Sequence, residues 1–462
     1  MASTYRYHDM GTPTLRTKFT YSIWLKRSGL GAIGTIASMW KDGNNHVVLR
    51  FNSNDTLVFY DYSSSSMITE VATNAVFRDT HAWYHIVVAF DSTQGTAADR
   101  TKLYVNGVQQ TSLGTATYGA QDNTPASNVS GTDNYLGARG DGANYDGLMS
   151  HCHFVDGAVY QASTFGSTDA TTGEWKINTS PTITEYGTNG WFMFKDDASL
   201  TDRSGKSNNF TNQSGTLTKT EDNPSNVFNV WNRNYLTRHH SESTSIPGML
   251  QNGNTTFNST ANTFKGWKAG TIGVTKGKFY WEAKPTDNGR MYMGVCYPNV
   301  MLQLSTPFYE STIYSGVSVN SDGDIFGRYT GSAIDSDASN ASIANNDIVG
   351  FALDMDNHAL YIHKNGTYFE SGDPTSGSSR TGSVIEQLTG SRANYLGSGE
   401  PVAPMVGDPS SSGTHLSQFN FGNGYFGSTQ ISSAGTNASG IGIFEYDVPA
   451  GYTALCTKGL NE

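Results

Sequence analysis

One pattern occurs twice in the chain and constrains the fold more than any other. In the first half, Trp83-Tyr84-His85-Ile86-Val87-Val88-Ala89-Phe90-Asp91 leads through a polar loop to Lys102-Leu103-Tyr104-Val105-Asn106-Gly107. In the second, Ile348-Val349-Gly350-Phe351-Ala352-Leu353-Asp354 leads to Ala359-Leu360-Tyr361-Ile362-His363-Lys364-Asn365-Gly366. Each copy is an apolar run closed by Asp, a connection, a strand with an aromatic, and Asn-Gly. The Asp can bond the turn backbone, and Asn-Gly accepts the positive φ of a tight reversal. Two such copies about 260 residues apart predict two domains of related architecture, not a short-period solenoid.

The rest of the chain fits that reading. Apolar residues rarely recur at helical steps, whereas alternation at period two is frequent, as in Phe19 to Leu25. Val47 to Phe51 and Leu57 to Tyr60 flank the turn cluster Asn52-Ser53-Asn54-Asp55, a hairpin signal. The 51 glycines fall mainly between short β-prone runs. The expected class is all-β, with two sandwiches of many short strands in tandem. Strand signals lapse over 201–226 and resume at Val227, which puts the junction near 215–230. The expected division is 1–220 for the first domain, 221–255 for a linker and irregular arm, and 256–462 for the second.

Composition excludes several functions. There are 16 basic and 19 acidic residues up to position 220, then 13 and 21, so neither half offers a basic surface for nucleic acid. A disordered chain would carry fewer aromatics and more than 15% charged residues. No apolar run approaches the roughly 20 residues needed to insert into a membrane. The N-terminus lacks the charged start and apolar core of a signal peptide. Cys152, Cys296 and Cys456 are distant and odd in number, which suits reduced thiols in a chain made in cytoplasm.

Trp83 to Val87, Leu103 to Gly107, Tyr135-Leu136-Gly137-Ala138 and Asp146 to Ser150 resemble a laminin-G or pentraxin-like domain. Gly277 to Glu282, Met291 to Cys296, Ile348 to Gly366 and Phe419-Asn420-Phe421-Gly422 resemble a SPRY domain. The order of these modules, with Phe165 to Lys176, Asp202 to Phe210 and Pro449 to Thr457, resembles a family of virion-associated proteins of tailed phages. The resemblance implies two concanavalin-A-like jelly rolls and a place on the virion surface, reached from the host cytoplasm by assembly and lysis. It further implies other virion proteins and host cell-surface glycan as partners, and a homo-oligomer on the particle.

Candidate chemistry is sparse. Glycanases of this fold place paired carboxylates on one strand face. Here Glu445-Tyr446-Asp447 is the single Glu-x-Asp, and Glu282 falls in a strand that the SPRY resemblance assigns to the core. No enzyme is therefore expected; Glu445 and Asp447 are the residues a depolymerase would need. His151-Cys152-His153 lacks a further ligand for zinc, and is read as Cys152 in the core with the histidines on the outer face. Laminin-G-like domains often hold calcium at a rim, which makes Asp141 and Asp146 the candidates, with a plain hairpin loop as the alternative. Arg139-Gly140-Asp141, an integrin-type tripeptide, is discounted as a chance match. Tyr118, Tyr145, Tyr309, Tyr314 and Tyr425 lie in polar contexts and could stack on sugars or line a protein interface. The leading expectation is a non-enzymatic virion surface protein that recognises the host through rim loops. A structural decoration or appendage subunit is the alternative, and a polysaccharide depolymerase the third.

Overall fold

The structure is a computed structural model and describes residues 5–140, 142–195, 197–234, 249–259, 266–289, 291–301, 316–328, 335–337, 340–387, 396–408 and 414–461. The chain divides into two units, Met1–Lys219 and Thr220–Glu462. Both are β-sandwiches, so the all-β class and the tandem arrangement hold.

In the first unit an eight-stranded sheet runs Leu113–Thr117, Ser66–Val76, Thr56–Ser63, Asn45–Phe51, Gly34–Asp42, Asp133–Leu136, Tyr5–Asp9, Thr211–Ser214. A six-stranded sheet runs Trp191–Met193, Gly147–Asp156, Lys18–Arg27, Trp83–Asp91, Thr101–Val105, Val108–Gln109. Alternation sends Val47, Leu49, Phe59 and Val71 of one sheet against Ile23, Leu25, Ile86 and Val88 of the other, and these form the core. The hairpin of Gly166–Thr168 and Trp175–Ile177 helps cover the outer side of the six-stranded sheet. There the Trp175 indole donates to His85 Nδ1 at 3.1 Å. Gly107 and Gly166 both lie against the Trp175 ring, where a Cβ would strike it.

The second unit repeats the plan. One sheet runs Leu250–Gln251, Thr256–Asn258, Leu416–Asn420, Lys278–Asp287, Val349–Asp354, Ala359–Lys364, Thr367–Tyr368, with Thr453–Ala454 added beside Lys278–Asp287. The other runs Gly266–Ala269, Ala403–Asp408, Tyr292–Cys296, Gly316–Asn320, Ile325–Arg328, Asp335–Asp337. Trp281, Phe351 and Ile362 meet Met293, Val317 and Val406 between them. The start of the expected linker belongs to this unit. Phe228 bridges Cys456, and Trp231 bridges Gly270 and is fully buried. Residues 235–248 of the expected arm lie outside the described residues.

The doubled unit is realised with the same contacts in each copy. Asn106 and Gly107 have φ of 48° and 79°, and Asn365 and Gly366 have 50° and 83°. The Asn106 carboxamide oxygen accepts from the His85 N–H at 2.8 Å, and that of Asn365 from the Ile348 N–H at 2.7 Å. Each Asn thus closes its own turn and ties it to the start of the preceding strand. At the other end Lys18 pairs with Asp91 at 3.2 Å and Lys278 with Asp354 at 2.9 Å, each on register-matched positions.

The second unit also buries a carboxylate. Glu282 is fully buried on the face away from the core. Its oxygens accept from the Glu445 N–H at 2.9 Å, the Tyr446 N–H at 2.8 Å, the Asn420 carboxamide at 3.1 Å and the Tyr280 hydroxyl at 3.1 Å. The Gly366 N–H donates to His363 Nδ1 at 3.1 Å, which leaves Nε2 to donate to the Tyr280 oxygen 2.7 Å away. Gly350 sits in register between Glu282 and His363, and a side chain there would strike the imidazole. Burial pushes the Glu282 carboxyl up to about 7 against the pull of its donors, and holds His363 down at about 4.

Two predictions follow from these contacts. Asn106→Gly and Asn365→Gly keep the positive φ and lose the side-chain bond, for about 1 kcal/mol each. The Ala variants also force a left-handed L-residue without that bond, for roughly 1–2 kcal/mol more. Urea denaturation that finds the Gly variants as stable as the wild type would contradict the clamp. For Glu282, the folded chain retains a proton that the unfolded chain has released between about pH 4.3 and the folded value. Its contribution is therefore complete at low pH and lost as pH rises through about 7. Relative to wild type, Glu282→Gln should gain stability between pH 5 and pH 8; a pH-independent difference would refute the assignment.

Candidate functional site

Among the described residues, the expected loop tyrosines Tyr118, Tyr145 and Tyr425 each pack into their own unit. Tyr118 and Tyr145 are half-buried, with their rings packed on the first core. Tyr118 walls a small slot of about 130 Å³ with Leu103 and Gln110. Tyr425 is 8% exposed and lies in the short hairpin of Tyr425–Phe426 and Thr429–Gln430, so it offers little ring face. Tyr309, Tyr314 and Asp141 lie outside the described residues. Asp146 is exposed, and its carbonyl accepts from the Ser28 and Gly29 N–H groups. No group of three or more His, Cys, Asp or Glu placed to hold a metal occurs among the described residues.

His151-Cys152-His153 is a structural element. Cys152 enters the core as expected, but the facing histidines are covered as well. A bulge between Ser150 and His153 breaks the alternation, with His151 at φ 45°. The His153 ring stacks on Phe192 at 3.9 Å and its Nδ1 lies 2.8 Å from the Tyr186 hydroxyl. Glu445 and Asp447 do not share a strand face. Glu445 and Asp447 lie in an irregular loop, not on a strand, and Asp447 accepts from the Thr436 N–H and hydroxyl.

The outer face of the eight-stranded sheet carries a different cluster. Strand alternation turns Trp40, His46, Tyr60, Tyr62, Tyr135, Tyr5 and Tyr7 away from the core. Trp40, His46 and Tyr62 occupy register-matched positions on three neighbouring strands. Their rings stack in series, at 4.8 Å from Trp40 to His46 and 5.2 Å from His46 to Tyr62. Tyr5 and Tyr7 approach Tyr135 at 6.1 and 5.6 Å. Two guanidinium groups lie among the rings. Arg50 sits over Tyr60 at 5.1 Å, while Arg139 lies 5.6 Å from Trp40 and donates to the Tyr60 hydroxyl at 3.0 Å. Gly140 follows directly against the Trp40 ring, with no room for a side chain. Arg139-Gly140 therefore has a packing role on this face.

His46, Tyr60 and Tyr135 are buried at the floor. Tyr5, Tyr7, Trp40, Tyr62 and Arg50 are half-exposed around it. Asp133, which accepts from the Tyr135 hydroxyl at 2.9 Å, and Glu70, register-matched to Tyr60, add acceptors. Half-exposed rings with both donors and acceptors suit a polar ligand that also has an apolar face. None of these strand-borne residues is among the candidates expected from the sequence, which were loop tyrosines. The available signal was the spacing of Tyr5 with Tyr7 and Tyr60 with Tyr62, aromatic at every second position.

Comparison with known proteins places the first unit. Residues 3–163 match the model of the Concanavalin A-like lectin/glucanases superfamily, as the laminin-G-like reading of that half implies. No curated protein matches the chain. Among solved structures, a heptameric SAP-like pentraxin from Limulus polyphemus is 16% identical, over 38% of this chain and 86% of its own, with a TM-score of 0.29. The SPRY domain of human HERC1 is 14% identical, over 36% and 87%, with a TM-score of 0.25. Domains LG4-5 of the mouse laminin alpha1 chain are 9% identical, over 97% and 92%, with a TM-score of 0.28. The segment that bears most of the aromatic face is thus similar to a lectin-type sandwich.

Proposed function

We propose that this protein is a non-enzymatic surface component of a phage particle that binds host-envelope saccharide on the outer face of the eight-stranded sheet. The observation that carries the binding reading is the set of half-exposed Tyr5, Tyr7, Trp40 and Tyr62 on one sheet face, with Arg50 over Tyr60 on the same face. The C–H face of a pyranose stacks on such rings, while guanidinium and carboxylate groups reach its hydroxyls. The lectin-type match over residues 3–163 supports the same reading. The virion assignment rests on the resemblance of the module order to phage particle proteins. Binding requires no covalent step, in keeping with the separation of Glu445 and Asp447 from any shared strand face.

A structural decoration role is the second reading, because Tyr, Trp and Arg on one face also suit a protein interface. The test is glycan-array binding and adsorption to host cells by the full chain, with Trp40→Ala and Tyr62→Ala. Each variant should lose about 10-fold in affinity, the worth of roughly 1.4 kcal/mol, in a chain whose circular dichroism shows it still folded. Chelation of calcium in the same assay tests Asp141 and Asp146. Saccharide binding that both variants leave intact would refute the site, and a particle map with this face buried in a neighbouring subunit would favour the decoration role.

A further inference from the structure

Taking the outer face of the eight-stranded sheet as the saccharide surface, and resting on that reading, we infer that its ligand is a linear, uncharged polysaccharide that crosses the strands. Half-exposed rings stand on every second strand: Tyr62 in Thr56–Ser63, Trp40 in Gly34–Asp42 and Tyr7 in Tyr5–Asp9. The strands between them, Asn45–Phe51 and Asp133–Leu136, contribute buried His46 and Tyr135 to the floor. Tyr62, His46, Trp40, Asp133 and Asp9 form one register row across the five strands. Tyr7 lies in the adjoining row, matched to Tyr135.

The spacing sets the size of the ligand. Two strand steps are about 10 Å, more than one pyranose covers, so no single sugar stacks on two of these three rings. The four steps from Tyr62 to Tyr7 span roughly 19 Å, the length of about four linked pyranoses. Along a strand the face offers less. Tyr60 is buried beside Tyr62, and among the described residues of this face only Tyr5 and Tyr7 put two half-exposed rings on one strand. Each further ring engaged through one chain adds affinity, so binding strength follows chain length until the face is full.

The charges of the face disfavour a polyanion. Its two guanidinium groups are engaged within the face: Arg50 also donates to Asn52 at 3.1 Å, and Arg139 to the Tyr60 hydroxyl at 3.0 Å. Against them stand Glu70, Asp133 and Asp9, register-matched to Tyr60, Trp40 and Asp133. Burial, and then Asp9, hold the Asp133 carboxyl above its usual range despite the Tyr135 hydroxyl bond. A uronate chain laid from Tyr62 to Tyr7 would bring more negative charge onto this row, at a cost. The hydroxyls of a neutral chain would instead find Asp133 and Asp9 as acceptors.

The test is calorimetric titration of the full chain with cello-, manno-, xylo- and chito-oligosaccharides, from the monosaccharide to the hexasaccharide. In at least one series affinity should rise at least about 10-fold from disaccharide to tetrasaccharide, then level off. In Tyr7→Ala and in Tyr62→Ala, each shown folded by circular dichroism, the rise should end at the trisaccharide. Oligomers of β1,4-mannuronate and β1,4-glucuronate of the same length should bind at least about 10-fold more weakly, and Asp9→Asn should narrow that gap. No binding in any series, a monosaccharide as tight as the hexasaccharide, a rise that either variant leaves unshortened, or a uronate bound as tightly as the neutral chain would each overturn the inference. If the monosaccharide binds as tightly as the hexasaccharide and Trp40→Ala abolishes both, the face stands as the saccharide surface and the across-strand ligand fails. Binding that Trp40→Ala and Tyr62→Ala both leave intact refutes the face itself.

Discussion

Both sandwiches depend on one small interaction, the side chain of an Asn at a two-residue turn that bonds back to the strand before it. Asn106 and Asn365 accept from the backbone at the entry of Trp83–Asp91 and of the run beginning at Ile348. At the far end the Lys-Asp pairs fix the register against the next strand inward. A one-residue slip would exchange the two faces of every strand. With register held at both ends, Ile86 and Val88 must face one core, and Phe351 and Leu353 the other.

What each unit does with its outer faces then separates them. In the first, Phe165 and Trp175 help cover the six-stranded sheet. In the second, Phe444, Tyr452 and Cys456 cover Tyr280 and Tyr361 of the larger sheet. Glu282 is held in that layer by two backbone N–H groups of the covering segment. The larger sheet of the first unit instead presents a small layer of Val48, Val58, Tyr60 and Ala72, edged by half-exposed Tyr62. Its half-exposed aromatics are the ones proposed to meet a ligand, where Tyr280, Tyr361 and Phe444 of the second unit serve packing.

The fold was legible in the sequence because turns and alternation are local. The doubled unit, the hairpin at Asn52 to Asp55 and the burial of Cys152 all depend on residues close to one another in the chain. The aromatic face was not legible, since which face of a strand becomes the core depends on the partner sheet. Polar residues mislead here: Arg6 and Asp61 point toward the interior side while Tyr5, Tyr7, Tyr60 and Tyr62 point away. Asp61 is tolerated there by bonds from Ser63 and Asn123, which no strand pattern announces. The loop tyrosines misled for the opposite reason. Tyr118 and Tyr145 look solvated in sequence, yet their rings pack on the core.

The proposed saccharide-binding surface is the outer face of the eight-stranded sheet. Hydroxyl-radical footprinting of the whole chain, with and without host-envelope polysaccharide, tests it most directly. Reduced oxidation of Trp40, Tyr62, Tyr5 and Tyr7 is expected on binding, with Tyr118 and Tyr145 unchanged. Bound polysaccharide with unchanged oxidation on that face would contradict it.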